Sequence, residues 1–259
     1  IKVQGQAGQM SGNKLLVLDF DWTVINSNSD TDVVEHFTTN VDECKARLRE
    51  AGKCDAWTAG MDAELELLHK SGTTVEQIEE FLMSIKIERE LSDSLKLVCA
   101  SGVAIYILSD ANTWFIDVIL NANGLTSTIA RVCSNPAEFA PFGRVRVRPF
   151  HTTPHEHTST SPPNLCKGRV MQEWLQAEGN AGVVIVYVGD GGGDFEGAMR
   201  VPKGGIILAR KDWSLDKRLK SATETGNGPQ AEVRTWETQV ELAVMLLDAI
   251  NLSSSSLGH

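Results

Sequence analysis

The apolar run Leu15-Leu16-Val17-Leu18 ends on Asp19-Phe20-Asp21, and this junction constrains the fold more than any other stretch of the chain. Four apolar residues bounded by polar ones read as a strand buried on both faces, the environment of a parallel sheet covered by helices. The two carboxylates then stand at the C-terminal edge of that strand, where open parallel sheets bind ligands. Side chains two apart in an extended chain point the same way, so Asp19 and Asp21 would share one small volume. One account of such a pair is an acidic turn in water. The other is a divalent cation combined with an acid/base division of labour between the two acids.

Three later segments favour the second account. Ile105-Tyr106-Ile107-Leu108 is another apolar run and ends in Ser109-Asp110-Ala111-Asn112. Val183 to Val188 is a third, ending in Gly189-Asp190-Gly191-Gly192-Gly193-Asp194. Between them Lys167 opens a helical pattern that runs through Trp174 and Leu175. Each strand end thus supplies a different group, and the intervening helix supplies an ammonium.

In this order the four segments resemble the signatures of the haloacid dehalogenase superfamily of phosphotransferases. Asp19-Phe20-Asp21-Trp22-Thr23-Val24 through Asp30, Ser109 to Asn112, Pro162-Pro163-Asn164-Leu165-Cys166-Lys167-Gly168, and Gly189 to Phe195 narrow the likeness. They are similar to the phosphoethanolamine/phosphocholine phosphatase family, which has pyridoxal-phosphate, thiamine-monophosphate and pyrophosphate phosphatases as relatives. The likeness runs from about Lys14 to Trp213. It departs in one loop: the relatives carry cysteines where His151 to Ser161 holds His, Thr and Ser.

The resemblance implies an α/β fold, a Rossmann-like parallel sheet with an inserted helical cap, and a Mg2+-dependent phosphatase working through an aspartyl phosphate. Asp19 would be the nucleophile. Asp21 would give a proton to the leaving oxygen and then take one from water. Ser109 and Lys167 would hold the phosphoryl oxygens, Lys167 also neutralising the nucleophile. Asp19, the main-chain carbonyl of Asp21, and Asp190 would bind the metal, with Asp194 orienting a metal-bound water or completing the shell. Asp30, Asp110 and Asn112 match substrate-binding positions, and the two acids suit the ammonium of a small phosphorylated metabolite such as phosphoethanolamine or phosphocholine. Thiamine monophosphate, pyridoxal phosphate and pyrophosphate are the alternative substrates. A non-catalytic phosphometabolite-binding module is the reading from another class, and the presence of both Asp19 and Asp21 argues against it.

A formal charge of −10 and a pI near 5.1 disfavour nucleic acid or an anionic membrane as partner, since both demand a basic face. No apolar run approaches the roughly 20 residues that a membrane span needs. Five widely spaced cysteines fit free thiols in a reducing compartment, so a cytoplasmic setting is expected. No leader peptide is visible, and the first residue is Ile1 rather than Met. Oligomeric state leaves no mark on the sequence.

Residues 1–13 read as a disordered lead-in and 253–259 as a flexible tail, leaving 14–29 and 98–252 for the α/β core. Between about residues 30 and 97, Met61, Leu65 and Leu68, then Ile78, Phe81, Leu82 and Ile85, recur at helical spacing without strand-like alternation. That is the expected cap, with a break at Gly72 and a new helix capped by Thr73 or Thr74. A last amphipathic helix is expected around Val240, Leu242, Ala243, Leu246 and Ile250. Arg144-Val145-Arg146-Val147-Arg148 alternates strictly and predicts a half-exposed strand with three Arg on one face, open to solvent or to an anionic substrate. His151, His155 and His157 could bind zinc, although no Cys or carboxylate completes the set.

Overall fold

The computed structural model describes residues 14–53, 56–153, 155, 161–177 and 182–252. The expected lead-in, the tail and His157 lie outside them. The first strand, β1, is Lys14–Leu18, and its neighbours are β2 (Ala104–Asn112), β3 (Arg131–Asn135), β6 (Val184–Gly189), β7 (Ile206–Arg210) and β8 (Glu232–Trp236). They form one parallel sheet in the order β3-β2-β1-β6-β7-β8. A short antiparallel hairpin, β4 (Ala137–Phe139) with β5 (Val145–Val147), stands apart from it.

Strand β1 alternates between two cores because successive side chains leave opposite faces. Leu16 and Leu18 join one apolar cluster, and Leu15 and Val17 join the other. Chain order reverses at β1, which pairs with β2 on one side and β6 on the other. A crevice opens at the carboxyl ends of strands at such a switch. Asp19, Ser109 and Asp190 all sit there.

Five helices separate β1 from β2: α1 (Ser29–Phe37), α2 (Val41–Lys53), α3 (Trp57–Lys70), α4 (Val75–Ser84) and α5 (Arg89–Ala100). Thr74 caps α4 with a reciprocal capping box, its hydroxyl accepting from Gln77 N and its N–H donating to Gln77 Oε1 at 2.9 Å. Helix α5, which begins within the expected 30–97 insertion and runs past its end, packs on β2 and on the last helix, α10 (Gln239–Ala249). Its Leu91, Leu95 and Val98 are buried beside the sheet. The remaining helices are α6 (Thr113–Ala122), α7 (Lys167–Gln176), α8 (Phe195–Ala198) and α9 (Ser214–Glu224). Gly124, at φ +66°, follows the end of α6.

The arginine row carries β5 as the half-exposed strand expected of it: Val145 and Val147 are buried, Arg144 and Arg146 are half-buried and Arg148 is exposed, and none of the three lines the crevice at the strand ends. Arg144 binds Asp62 at 2.8 Å and Glu66 at 3.1 Å on α3, Arg146 lies 3.9 Å from Asp62, and Arg148 binds Glu138 at 3.0 Å. The acidic face of α3 was not readable as the partner of a strand 80 residues away. No helix among the described residues is long and apolar enough to cross a membrane.

Candidate active site

At the carboxyl ends of β1, β2 and β6 lies a cavity of about 140 Å³, lined by Asp19, Asp21, Asp30, Ser109, Asp110, Lys167, Asp190 and Asp194, with Trp22 and Trp57. Six carboxylates and one ammonium thus share a small, largely buried volume. Lys167 is the first residue of α7, an unfavourable place for a cation on helix-dipole grounds. Two carboxylates offset that penalty, since its Nζ lies 2.8 Å from Asp19 Oδ1 and 2.8 Å from Asp194 Oδ1. Burial works against its charge, but Asp19 and Asp194 hold its pKa well above the ordinary value.

Asp19 Oδ1 also accepts from Phe20 N at 2.8 Å. Burial and then Asp194 raise its pKa to about 7 despite Lys167. Asp190 is raised to about 8, by burial and then by Asp19, and its Oδ1 accepts from Thr23 Oγ1 at 3.2 Å. Carboxylate oxygens of Asp19, Asp190 and Asp194 lie within 4.8 Å of one another. This all-oxygen, incompletely compensated cluster fits a hard divalent cation, which would relieve the repulsion that raises both pKa values.

Asp194 is saturated by protein donors. Its Oδ1 accepts from Lys167 and from Tyr187 Oη at 2.9 Å, and its Oδ2 from the N–H groups of Asp190 (3.2 Å) and Gly191 (3.0 Å). That makes it a brace for Lys167 and for the Asp190 loop before it is a metal ligand. Gly189 permits the arrangement: a Cβ there would meet Asp194 Cγ at 2.4 Å. Gly193 likewise lies against Asp110, where a Cβ would meet Oδ2 at 2.8 Å.

Asp21 accepts from Ser29 N at 3.0 Å, and its pKa is raised well above normal by burial and then by Asp30. That is the direction of shift that general-acid chemistry calls for. Ser109 precedes an irregularity in β2, where Ser109 pairs with Ser134 but Asn112 pairs with Asn135. The two extra residues bulge toward the cavity and place Asp110 in its wall. Asn135 Nδ2 holds the Asp110 carbonyl at 2.6 Å, and Ser134 Oγ holds that of Ala111 at 2.7 Å. Asn164 Nδ2 donates to Asp110 Oδ1 at 3.1 Å.

Asp30 does not cap its helix; Asn28 does, accepting from Thr31 N at 2.9 Å. The Asp30 carboxylate instead accepts from Trp57 Nε1 at 2.9 Å and from Asn112 Nδ2 at 3.3 Å. Asn112 thus stands behind Asp30, fully buried and capping α6, and does not line the cavity. Burial, partly offset by these donors, puts the Asp30 pKa at about 6. Trp22 takes up φ +59°, rare for a non-glycine. Arg210 fixes it there, donating to the Trp22 carbonyl at 2.7 Å, while Trp213 packs on the ring at 5.4 Å.

Cys166, buried as the cap of α7, accepts from Arg169 N at 3.4 Å and acts as a packed residue rather than a reactive one. His155 lies near His151 at 5.9 Å between rings, but its Nε2 is 2.9 Å from the Pro162 carbonyl. No cluster of His, Cys and carboxylates forms around them among the described residues. Sequence reasoning missed Tyr187 and Trp57. A phenol inside the apolar run of β6 was a usable signal, since a buried hydroxyl needs a partner; Trp57 offered none.

Fold and site together define a phosphatase of the haloacid dehalogenase type, a phosphoric monoester hydrolase acting on small phosphorylated substrates. The family model described as Putative Phosphatase matches residues 14–250, and the chain belongs to that family. It is 31% identical to a protein of Xenopus tropicalis named "Probable phosphatase phospho2", over 88% of this chain and 94% of that one. It is 27% identical to the human phosphoethanolamine/phosphocholine phosphatase, over 93% and 90% of the two chains. A phosphoserine phosphatase structure solved as a phospho-aspartyl intermediate analogue superposes with TM-score 0.60 at 16% identity, covering 93% of this chain and 99% of that one. At that identity the likeness speaks for the fold alone.

Proposed function

We propose that the chain is a Mg2+-dependent phosphatase that hydrolyses a small phosphomonoester with a cationic leaving group, phosphoethanolamine or phosphocholine first, through an aspartyl phosphate on Asp19. The observation that carries this reading is Lys167 Nζ at 2.8 Å from both Asp19 and Asp194, in the cavity that also holds Asp21 and Asp190. Mg2+ bound by Asp19, Asp190 and the Asp21 carbonyl would supply charge neutralisation for the transferring phosphoryl group. An Asp19 oxygen attacks phosphorus as the bond to the leaving oxygen breaks. Asp21 delivers its proton to that oxygen, so it departs as a hydroxyl rather than an alkoxide. Water then attacks the phosphorus of the aspartyl phosphate and gives its proton to Asp21, the P–O bond to Asp19 breaks, and phosphate leaves. Ser109 and Lys167 face the phosphoryl oxygens throughout.

Support for a cationic leaving group comes from the rest of the wall. Asp30 and Asp110 are carboxylates in the cavity, and Trp22 and Trp57 add ring faces that attract cations. The same wall repels the anionic leaving group of pyrophosphate. Phosphate release measured with Mg2+ on phosphoethanolamine, phosphocholine, thiamine monophosphate, pyridoxal phosphate, pyrophosphate and an aryl phosphate tests the reading. The highest kcat/KM is expected for an ammonium substrate and the lowest for pyrophosphate; a preference for pyrophosphate or pyridoxal phosphate would overturn it.

A further inference from the structure

The loop that follows β1 carries a strained residue in the wall of the phosphoryl site, Trp22 at φ +59°. A bulky side chain stays in the left-handed region only where its surroundings hold it there. Two contacts do so. The Trp22 N–H donates to the Ser27 carbonyl at 2.9 Å, and the Trp22 carbonyl accepts from Arg210 Nη1 at 2.7 Å. Arg210 stands at the end of β7 and is itself fixed: its Nη2 donates to Asn26 Oδ1 at 2.8 Å. Its guanidinium lies 4.3 Å from the ring of Trp213 and 5.1 Å from that of the buried Trp236. A planar fork stacked on aromatic rings is a rigid donor, and lysine does not reproduce it.

The carbonyls of this loop are almost all engaged. That of Phe20 accepts from the N–H groups of Val24 at 2.8 Å and Ile25 at 3.1 Å, and that of Trp22 from Arg210. Gln239 Nε2, on α10, donates to the carbonyls of Thr23 at 2.9 Å and Val24 at 2.8 Å. The Asp21 carbonyl accepts no hydrogen bond among the described residues. Its direction is nevertheless set. The peptide between Asp21 and Trp22 is trans, so the carbonyl points opposite to the Trp22 N–H and away from Ser27. The φ angle of Trp22 fixes how this peptide stands to the next one, which Arg210 grips. Relaxation of that angle would swing the Asp21 carbonyl.

We infer that Arg210 is a positioning residue for the divalent cation, acting through the strained Trp22 to keep the Asp21 carbonyl turned to the cluster of Asp19, Asp190 and Asp194. The inference rests on the role proposed above for that carbonyl as a metal ligand. Its sign separates it from a plain charge effect. Arg210 and Asp190 feel each other's charge, so on charge alone the loss of the guanidinium would tighten a cation held by Asp190. Acting through Trp22, the same loss weakens it.

The test titrates Mn2+, which suits the same oxygen ligands, into metal-stripped protein without substrate, and counts the free ion by its electron paramagnetic resonance signal. Arg210→Met removes both donors and the charge. Arg210→Lys keeps the charge but loses the fork and the stack. Each should weaken Mn2+ binding about tenfold, the scale set by releasing one strained residue. In a Trp22→Gly background Arg210→Met should cost no more than about threefold, because glycine takes positive φ freely. Thermal melts of the metal-free variants establish that each folds. Mn2+ binding that is unchanged or tighter in the folded Arg210 variants would overturn the inference and leave the catalytic reading standing, as would an equal loss in the two Trp22 backgrounds. Absence of a Mn2+ site from the wild type would overturn the catalytic reading and this inference with it.

Discussion

Metal-free protein should lose stability steeply as pH rises from 5 to 7, and a divalent cation should abolish most of that loss. Asp19 and Asp190 have pKa values of about 7 and about 8 in the fold, against 3.8 in the unfolded chain. A carboxyl whose folded pKa is raised favours the fold fully below its unfolded pKa and loses that contribution as pH climbs to the folded value. Between pH 5 and 7 both groups are ionised when unfolded and largely protonated when folded, so each costs about 1.4 kcal/mol per pH unit. Because each raises the other, the pair together costs about 3 to 5 kcal/mol over the two units rather than the full sum. Asp21 and Asp30 shift in the same direction and add to the fall. For a domain of this size the pair alone amounts to about 10 °C in Tm. Thermal melts of chelated protein at pH 5, 6 and 7, with and without saturating Mg2+, read the effect, and Asp190→Asn serves as control because it removes one of the two titrating groups. A metal-free Tm that is flat or rises over this range, or a slope unchanged in Asp190→Asn, would refute the reasoning.

Asp19→Asn should lower phosphate release by several orders of magnitude while the protein still folds, because it removes the attacking oxygen at a strand end and no core packing; near-native turnover by the folded variant would end the nucleophile assignment. Tyr187→Phe should cost about 1 to 3 kcal/mol in urea unfolding, since it removes one of the two side-chain donors to the buried Asp194 Oδ1. A smaller loss would show that the phenol does not brace the loop. Asp30→Asn should weaken ammonium substrates about ten- to a hundredfold relative to an aryl phosphate, as a charge attraction partly shielded from water is lost. An equal drop in kcat/KM on both substrates would mean that Asp30 serves the fold rather than the headgroup.

What the residues by themselves determined is the part of this protein governed by local order. A run of apolar residues that ends on carboxylates reads as a covered parallel strand with its acids at the rim. This placed Asp19, Asp21, Ser109 and Asp190 before any contact was known, and Lys167 does open its helix. A cap at Thr73 or Thr74 was legible because a capping box spans three residues, and the structure selects Thr74 with Gln77. Contacts between distant segments were not legible, because nothing in local periodicity encodes which faces meet. Only the tertiary structure showed that Asp194, which clusters with Asp19 and Asp190, is also held by four donors, and set Asn112 behind Asp30 rather than in the cavity. It alone drew Arg144 and Arg146 onto α3 and carried Trp57 from the inserted helices to the rim of the site. The pKa shifts belong to the same category. They arise from burial and from charges brought together across the sheet edge, and the chain acquires them only by folding.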